Sequence, residues 1–105
     1  MREFEGGNVY VANDVIDMII ATAASRVDFV FEVKGYDMKS QKLRYGHNKY
    51  IETEVENDQL TTSLIVQIED GANIKDVCTN IQEAVKESVE SMLGLKCNKV
   101  DLLVV

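Results

Sequence analysis

The sequence predicts an α+β fold, a two-layer α/β sandwich, on three observations. Two segments repeat apolar residues at helical spacing. Several shorter segments alternate apolar and polar residues at period two. Two of these are joined by a two-residue turn signal. The predicted order is strand, helix, hairpin, helix, strand, with an extra strand after the first helix as an option. Each helix has one apolar stripe, so both helices cover one face of a mostly antiparallel sheet. The strand order is not legible, and a ferredoxin-like order is one candidate among several.

Each element has a local reason. "NVYVA" (8–12) alternates, with Val9 and Val11 on one side and Tyr10 on the other. Asn13 or Asp14 is placed to accept from the free N–H groups of a new helix. That helix runs through "VIDMIIATAASRV", with Val15, Ile16, Ile19, Ile20, Ala23, Ala24 and Val27 as its apolar stripe. Ala21, Ala23 and Ala24 permit close packing late in it. "FVFEVK" sets Phe29, Phe31 and Val33 against Val30, Glu32 and Lys34, a strand pattern. From Gly35 to Gly46 all period is lost, which reads as a long exposed loop, and long loops often carry function.

"YIETEVE" sets Ile51, Thr53 and Val55 against Glu52, Glu54 and Glu56. Asn57 and Asp58 are a turn signal. "LTTSLIVQI" then points Leu60, Leu64, Val66 and Ile68 inward, which completes a hairpin with one buried face. Asn73 caps a second helix whose stripe is Ile74, Val77, Cys78, Ile81, Ala84, Val85, Val89, Met92 and Leu93. Gly94 suits a left-handed helix stop. "KVDLLVV" closes the chain as a strand with Val100, Leu102 and Val104 inward.

The 105 residues are one domain's worth of chain, without proline or a low-complexity linker. No window reaches the apolar length of a membrane span, and "MREFEGGN" has no apolar signal core, so a cytoplasmic protein without direct membrane insertion is expected. The net charge of −7 opposes non-specific binding to nucleic acid or anionic lipid. RNA recognition is further disfavoured because the sheet lacks aromatic pairs for stacking bases.

No catalytic, cofactor-binding or metal-binding set is expected. His47, the one histidine, is read as an exposed loop residue. Glu52, Glu54 and Glu56 share a strand face but read as a solvated edge. Gly6 and Gly7 precede a strand rather than a helix and so fail the phosphate-loop context. Cys78 and Cys97 have no metal-type spacing and are expected to be free thiols. Cys78 falls on a core stripe, and Cys97 sits near a strand entrance where exposure is open.

"GNVYVANDVIDMIIATAASRV" resembles the opening of the alkaline shock protein family, bacterial envelope stress response proteins also called the Gls family. The second half, "VENDQLTTSLIVQIEDGANIKDVCTNIQEAVKESVESMLGLKCNKVDLLVV", resembles the family's hairpin, helix and Val-rich last strand. Its most specific piece is "IQEAVKESVESMLGL". The resemblance covers most of the chain outside residues 28 to 49. It implies a cytoplasmic, non-enzymatic protein that self-associates and gathers at the inner membrane face through a small membrane-anchored partner. The alternative it implies is a regulatory adaptor for a metabolic enzyme of fatty-acid synthesis. No catalytic residues belong to the family.

Two sets of residues are candidates for interaction. Tyr10, Ile65, Leu103 and Val105 point away from the inward set and would form an apolar patch if they meet across neighbouring strands. Lys39, Lys42 and Arg44, flanked by Tyr36 and Tyr45, make a basic loop in an acidic protein. They suit an acidic partner or the acidic face of another copy at Glu83, Glu87 and Glu90.

Overall fold

The computed structural model describes residues 11–105 in full and the backbone of residues 2–4 and 7–9. Strands β1 (Arg2–Phe4) and β2 (Gly7–Val9) pair with each other, antiparallel. Helix α1 (Asn13–Ser25) follows, then β3 (Val30–Val33) and a short hairpin of β4 (Tyr36–Asp37) and β5 (Lys42–Leu43). A 3₁₀ turn (His47–Lys49) leads into β6 (Ile51–Glu56) and β7 (Gln59–Ile68). Helix α2 (Ile74–Ser88) and β8 (Lys96–Val104) complete the chain.

The main sheet is built around β7. Along one edge, β6 pairs with Gln59–Leu64 and β3 pairs with Val66–Ile68, both antiparallel and end to end. Along the other edge β8 runs parallel, from Gln59↔Lys96 to Val66↔Val104. Parallel neighbours require a crossover connection, and α2 supplies it. The ferredoxin-like candidate is not adopted by the described strands, since the strand expected over "NVYVA" overlaps only β2, outside the main sheet. Tyr10 lies outside the described residues.

The β6–β7 turn forms as its residues dictate. Asn57 and Asp58 both take left-handed φ values, 52° and 61°, the geometry whose twist matches a two-residue hairpin. Beyond it, Leu60, Thr62, Leu64, Val66 and Ile68 are buried in strict alternation. Thr62 is the polar member, and its hydroxyl is satisfied by Thr53 Oγ1 at 2.9 Å and the Glu52 carbonyl at 3.2 Å. Both helices join the same buried cluster, through Ile16, Ile20, Ala21 and Ala24 of α1 and Val77, Ile81, Val85 and Val89 of α2 and its extension.

Helix ends and one strand register depart from expectation. Residue Asn73 caps α2 as predicted, accepting from the Asp76 N–H at 3.1 Å. The N-cap of α1 is Ala12, without a side-chain bond, so neither Asn13 nor Asp14 caps it. Helix α2 continues as a π turn (Val89–Leu93) before Gly94 stops it at φ 67°. The wider turn shifts the helical phase, which leaves Met92 exposed instead of on the core stripe. In β3 the register shifts between Val30 and Glu32, so Val30 and Val33 both face the core. Simple alternation had set them on opposite sides, and Phe29 and Phe31 are exposed.

Segment 35–46 is not a simple exposed loop. Its tip is exposed, but Tyr36 is only 1% exposed, and its hydroxyl lies 2.8 Å from Thr22 Oγ1 on α1. The expectation failed because Tyr36, with Met38 and Leu43 partly buried against the core, follows no period that could be read.

Candidate functional site

Three features carry recognition chemistry. The first is the sheet face opposite the helices. Ile65 on β7 and Leu103 on β8 are direct cross-strand partners. Leu103 is 58% exposed and Val105 beyond it 60%. The Val105 N–H donates to the Val66 carbonyl at 3.0 Å, which holds this end of the chain against β7. Ile65 and Leu103 line a shallow depression of 260 Å³ together with Lys49, Tyr50, Glu52 and Asp101. Ile65, Leu103 and Val105 are thus brought onto adjacent strands.

The second feature is the hairpin tip between β4 and β5. Lys39, Lys42 and Arg44 are all exposed there. The Asp37 carboxylate accepts from the N–H groups of Lys39 (3.0 Å) and Ser40 (3.4 Å), and so orders the turn. These bonds, with the Arg44 charge, hold the Asp37 carboxyl below its usual range. The hairpin that carries this tip packs against α1, whereas Ile65 and Leu103 lie on β7 and β8.

The third feature was not foreseen. His47, expected to be exposed, is 8% exposed. Gly46, at φ 81°, turns the chain into the 3₁₀ segment. Gly35 packs so closely that a Cβ there would stand 3.1 Å from His47 Cα. The imidazole reaches the first turns of α1. Its Nε2 is 3.2 Å from Asp17 Oδ2 and 3.4 Å from Asp14 Oδ1. Asp14 and Asp17 are three residues apart, hence neighbours on one helix face. Asp17 is 5% exposed, and its Oδ1 is buried with no hydrogen-bond partner among the described residues. Leaving a buried charged acceptor unsatisfied costs about 1–3 kcal/mol or more. One donor atom from each of the three residues falls within 4.8 Å of the others, so the set could hold a metal ion.

One signal for this cluster was present in the sequence. Asp17 is three residues from Ile20 and four from Ala21, which places a carboxylate on the buried stripe of α1. A charge at such a position needs a partner. His47, 30 residues on, cannot be assigned to it without the fold.

The cysteines are free among the described residues. Cys97, for which exposure was open, is buried, and Cys78, placed in the core, is only partly so. Burial raises both thiols above their usual range, and for Cys97 the Glu90 carboxylate adds to the rise. A thiol-specific disulfide reagent at pH 8 should therefore label Cys78 before Cys97, and both more slowly than a free thiol. Faster labelling of Cys97 would contradict this.

With this geometry in view, comparison with known proteins supplies the family. Residues 2–105 match the sequence model of the Asp-23 family, described as having a cell envelope-related function. The chain belongs to this alkaline shock protein family. The match runs through residues 28–49, the part that the resemblance left uncovered. Among curated family relatives, YqhY of Bacillus subtilis (strain 168) is 28% identical over 102 residues, 94% of this chain and 76% of that one. Spy1535 of Streptococcus pyogenes serotype M6 is 26% identical over 98 residues, 91% and 75% of the two chains. Solved structures of similar fold include one titled MamM-CTD 215-293, with a TM-score of 0.56 and 14% identity over 90% of this chain and 98% of that one. A nickel form of MamM CTD has a TM-score of 0.54 at 14% identity, over 87% and 94%. At such identities the likeness concerns the fold alone. Among the described residues no helix is long and apolar enough to cross a membrane.

Proposed function

We propose that this family member is a non-enzymatic scaffold of the cell-envelope stress response. It self-associates through the open face of its sheet. A small membrane-anchored partner gathers the assembly at the cytoplasmic face of the membrane. The family's cell envelope-related function supports the setting. The observation that carries the self-association is the meeting of Ile65, Leu103 and Val105 across β7 and β8 beside a shallow depression. Apolar residues grouped this way, Leu103 and Val105 exposed and Ile65 half-buried, have the makeup of an association surface rather than of scattered surface residues.

Sedimentation of the wild type against the Ile65→Lys/Leu103→Lys double variant tests this. The wild type should form dimers or larger species that persist as salt rises, because apolar association is strengthened by excluded salts. The double variant should sediment as a monomer with an unchanged circular dichroism spectrum. A wild type that stays monomeric at high concentration removes the proposal.

A second reading, a regulatory adaptor for an enzyme of fatty-acid synthesis, is favoured by the exposed and ordered basic tip. Exposed charge contacts are each worth about 0.2–1 kcal/mol and are screened by salt. An adaptor would lose its acidic partner when Lys39, Lys42 and Arg44 are reversed to Glu, while the scaffold would assemble as before.

A further inference from the structure

We propose that Asp14, Asp17 and His47 form a binding site for a divalent transition-metal cation. The ligands are His47 Nε2, a carboxylate oxygen of Asp14 and the Asp17 carboxylate through one or both of its oxygens. Three independent features of the cluster point the same way.

The first is the spacing of the donors. Nε2 stands 3.2 Å from Asp17 Oδ2 and 3.4 Å from Asp14 Oδ1. Charge-assisted N–H···O bonds close to about 2.7–2.9 Å, so both separations are long for a direct ion pair. Two ligand atoms each about 2.1 Å from a tetrahedral zinc stand about 3.4 Å apart. The two separations from the imidazole match those of ligands around an ion, and all three donor atoms lie within 4.8 Å of one another.

The second is the stranded oxygen. Asp17 is more than nine-tenths buried, and its Oδ1 has no partner among the described residues. His47 serves only the other oxygen. A cation at this carboxylate would use charge that the protein itself leaves unanswered. Two carboxylates also converge on a single imidazole, so the cluster has acceptor capacity that one ring cannot match.

The third is construction and access. His47 is held by the backbone bonds of its 3₁₀ segment and by the close approach of Gly35. Asp17 is fixed on α1. The Asp14 side chain is 76% exposed and opens the cluster to solvent, which gives an ion a way in. Three protein ligands leave coordination positions for water or for a donor from a bound partner. The imidazole favours zinc, nickel or iron, and the two carboxylates add manganese. Magnesium and calcium, which prefer oxygen throughout, are disfavoured.

The test is isothermal titration calorimetry on the full chain, stripped with a chelator and titrated separately with Zn²⁺, Ni²⁺, Mn²⁺ and Mg²⁺. One equivalent of Zn²⁺, Ni²⁺ or Mn²⁺ should bind and raise the thermal midpoint, with Mg²⁺ markedly weaker. Asp14→Asn should weaken binding about tenfold or more and His47→Gln should abolish it. Asp14 is exposed, so its variant keeps the fold and decides the matter alone if His47→Gln does not fold. Absence of binding by all three transition ions overturns the proposal. So does binding of undiminished strength in Asp14→Asn or in a folded His47→Gln, which would place the ion elsewhere.

Discussion

Leu64→Ala should cost about 2–5 kcal/mol, a large fraction of the about 5–15 kcal/mol that holds a domain of this size folded. Leu64 is 1% exposed at the middle of the central strand. It is flanked on both edges, by Ile51 of β6 and Leu102 of β8. Fully buried Ile20, Ile81 and Val85 belong to the same core on the helix side. Residues held from two edges and above have little room to move into the vacated volume, so a cavity remains and the cost falls in the upper part of the range. Urea unfolding should show a lower midpoint with an unchanged slope. The thermal midpoint should fall by more than about 10 °C. Leu103→Ala, on the same ladder but on the open face, should change stability by about 0.5 kcal/mol or less. Equal losses at Leu64 and Leu103 would mean that the sheet does not have one buried and one open face.

Gly35→Ala should destabilise by about 2–4 kcal/mol, and Gly46→Ala by about 1–2 kcal/mol. Both glycines sit at positive φ, 83° and 81°, where a Cβ meets the following carbonyl. At Gly46 that is the whole effect, since nothing lies within 4 Å of an added Cβ. At Gly35 the new atom would also stand 3.1 Å from His47 Cα and 3.2 Å from Tyr50 Cδ2. Backbone cannot yield as a flexible side chain can, so the segment carrying His47 must shift. The difference between the two variants, read from chemical unfolding, isolates the crowding. Equal losses would show that His47 is not packed against Gly35. Metal binding should also weaken in Gly35→Ala more than in Gly46→Ala, because only the first displaces the imidazole.

The candidate surfaces were legible to different degrees. Alternation alone placed Ile65 and Leu103 on the outer face, since each follows an inward residue in an unbroken period-two run. That they touch was not legible. It depends on the parallel register of β7 with β8, set by how α2 packs while carrying the chain from one strand to the other. The basic tip was legible as charge, but its anchorage was not. Tyr36 is buried by a hydroxyl contact to Thr22, fourteen residues earlier, which no local pattern announces.

The sequence by itself determined the elements whose causes lie within a few residues. The two amphipathic helices follow from apolar spacing, the Asn73 cap and the Gly94 stop from backbone chemistry at helix ends, and the hairpin turn from two residues that tolerate left-handed φ. It also determined which face of β7 is buried, because side chains alternate across a strand whatever its neighbours. The tertiary structure alone decided which edge each strand occupies, where β3 bulges, and that an aspartate on the stripe of α1 meets a histidine in a distant turn. Periodicity is a property of adjacent residues and survives in any fold that contains the element. A contact across 30 residues exists only when the packed core brings two surfaces together, and the free energy that selects that packing is shared over the whole core rather than written at either end.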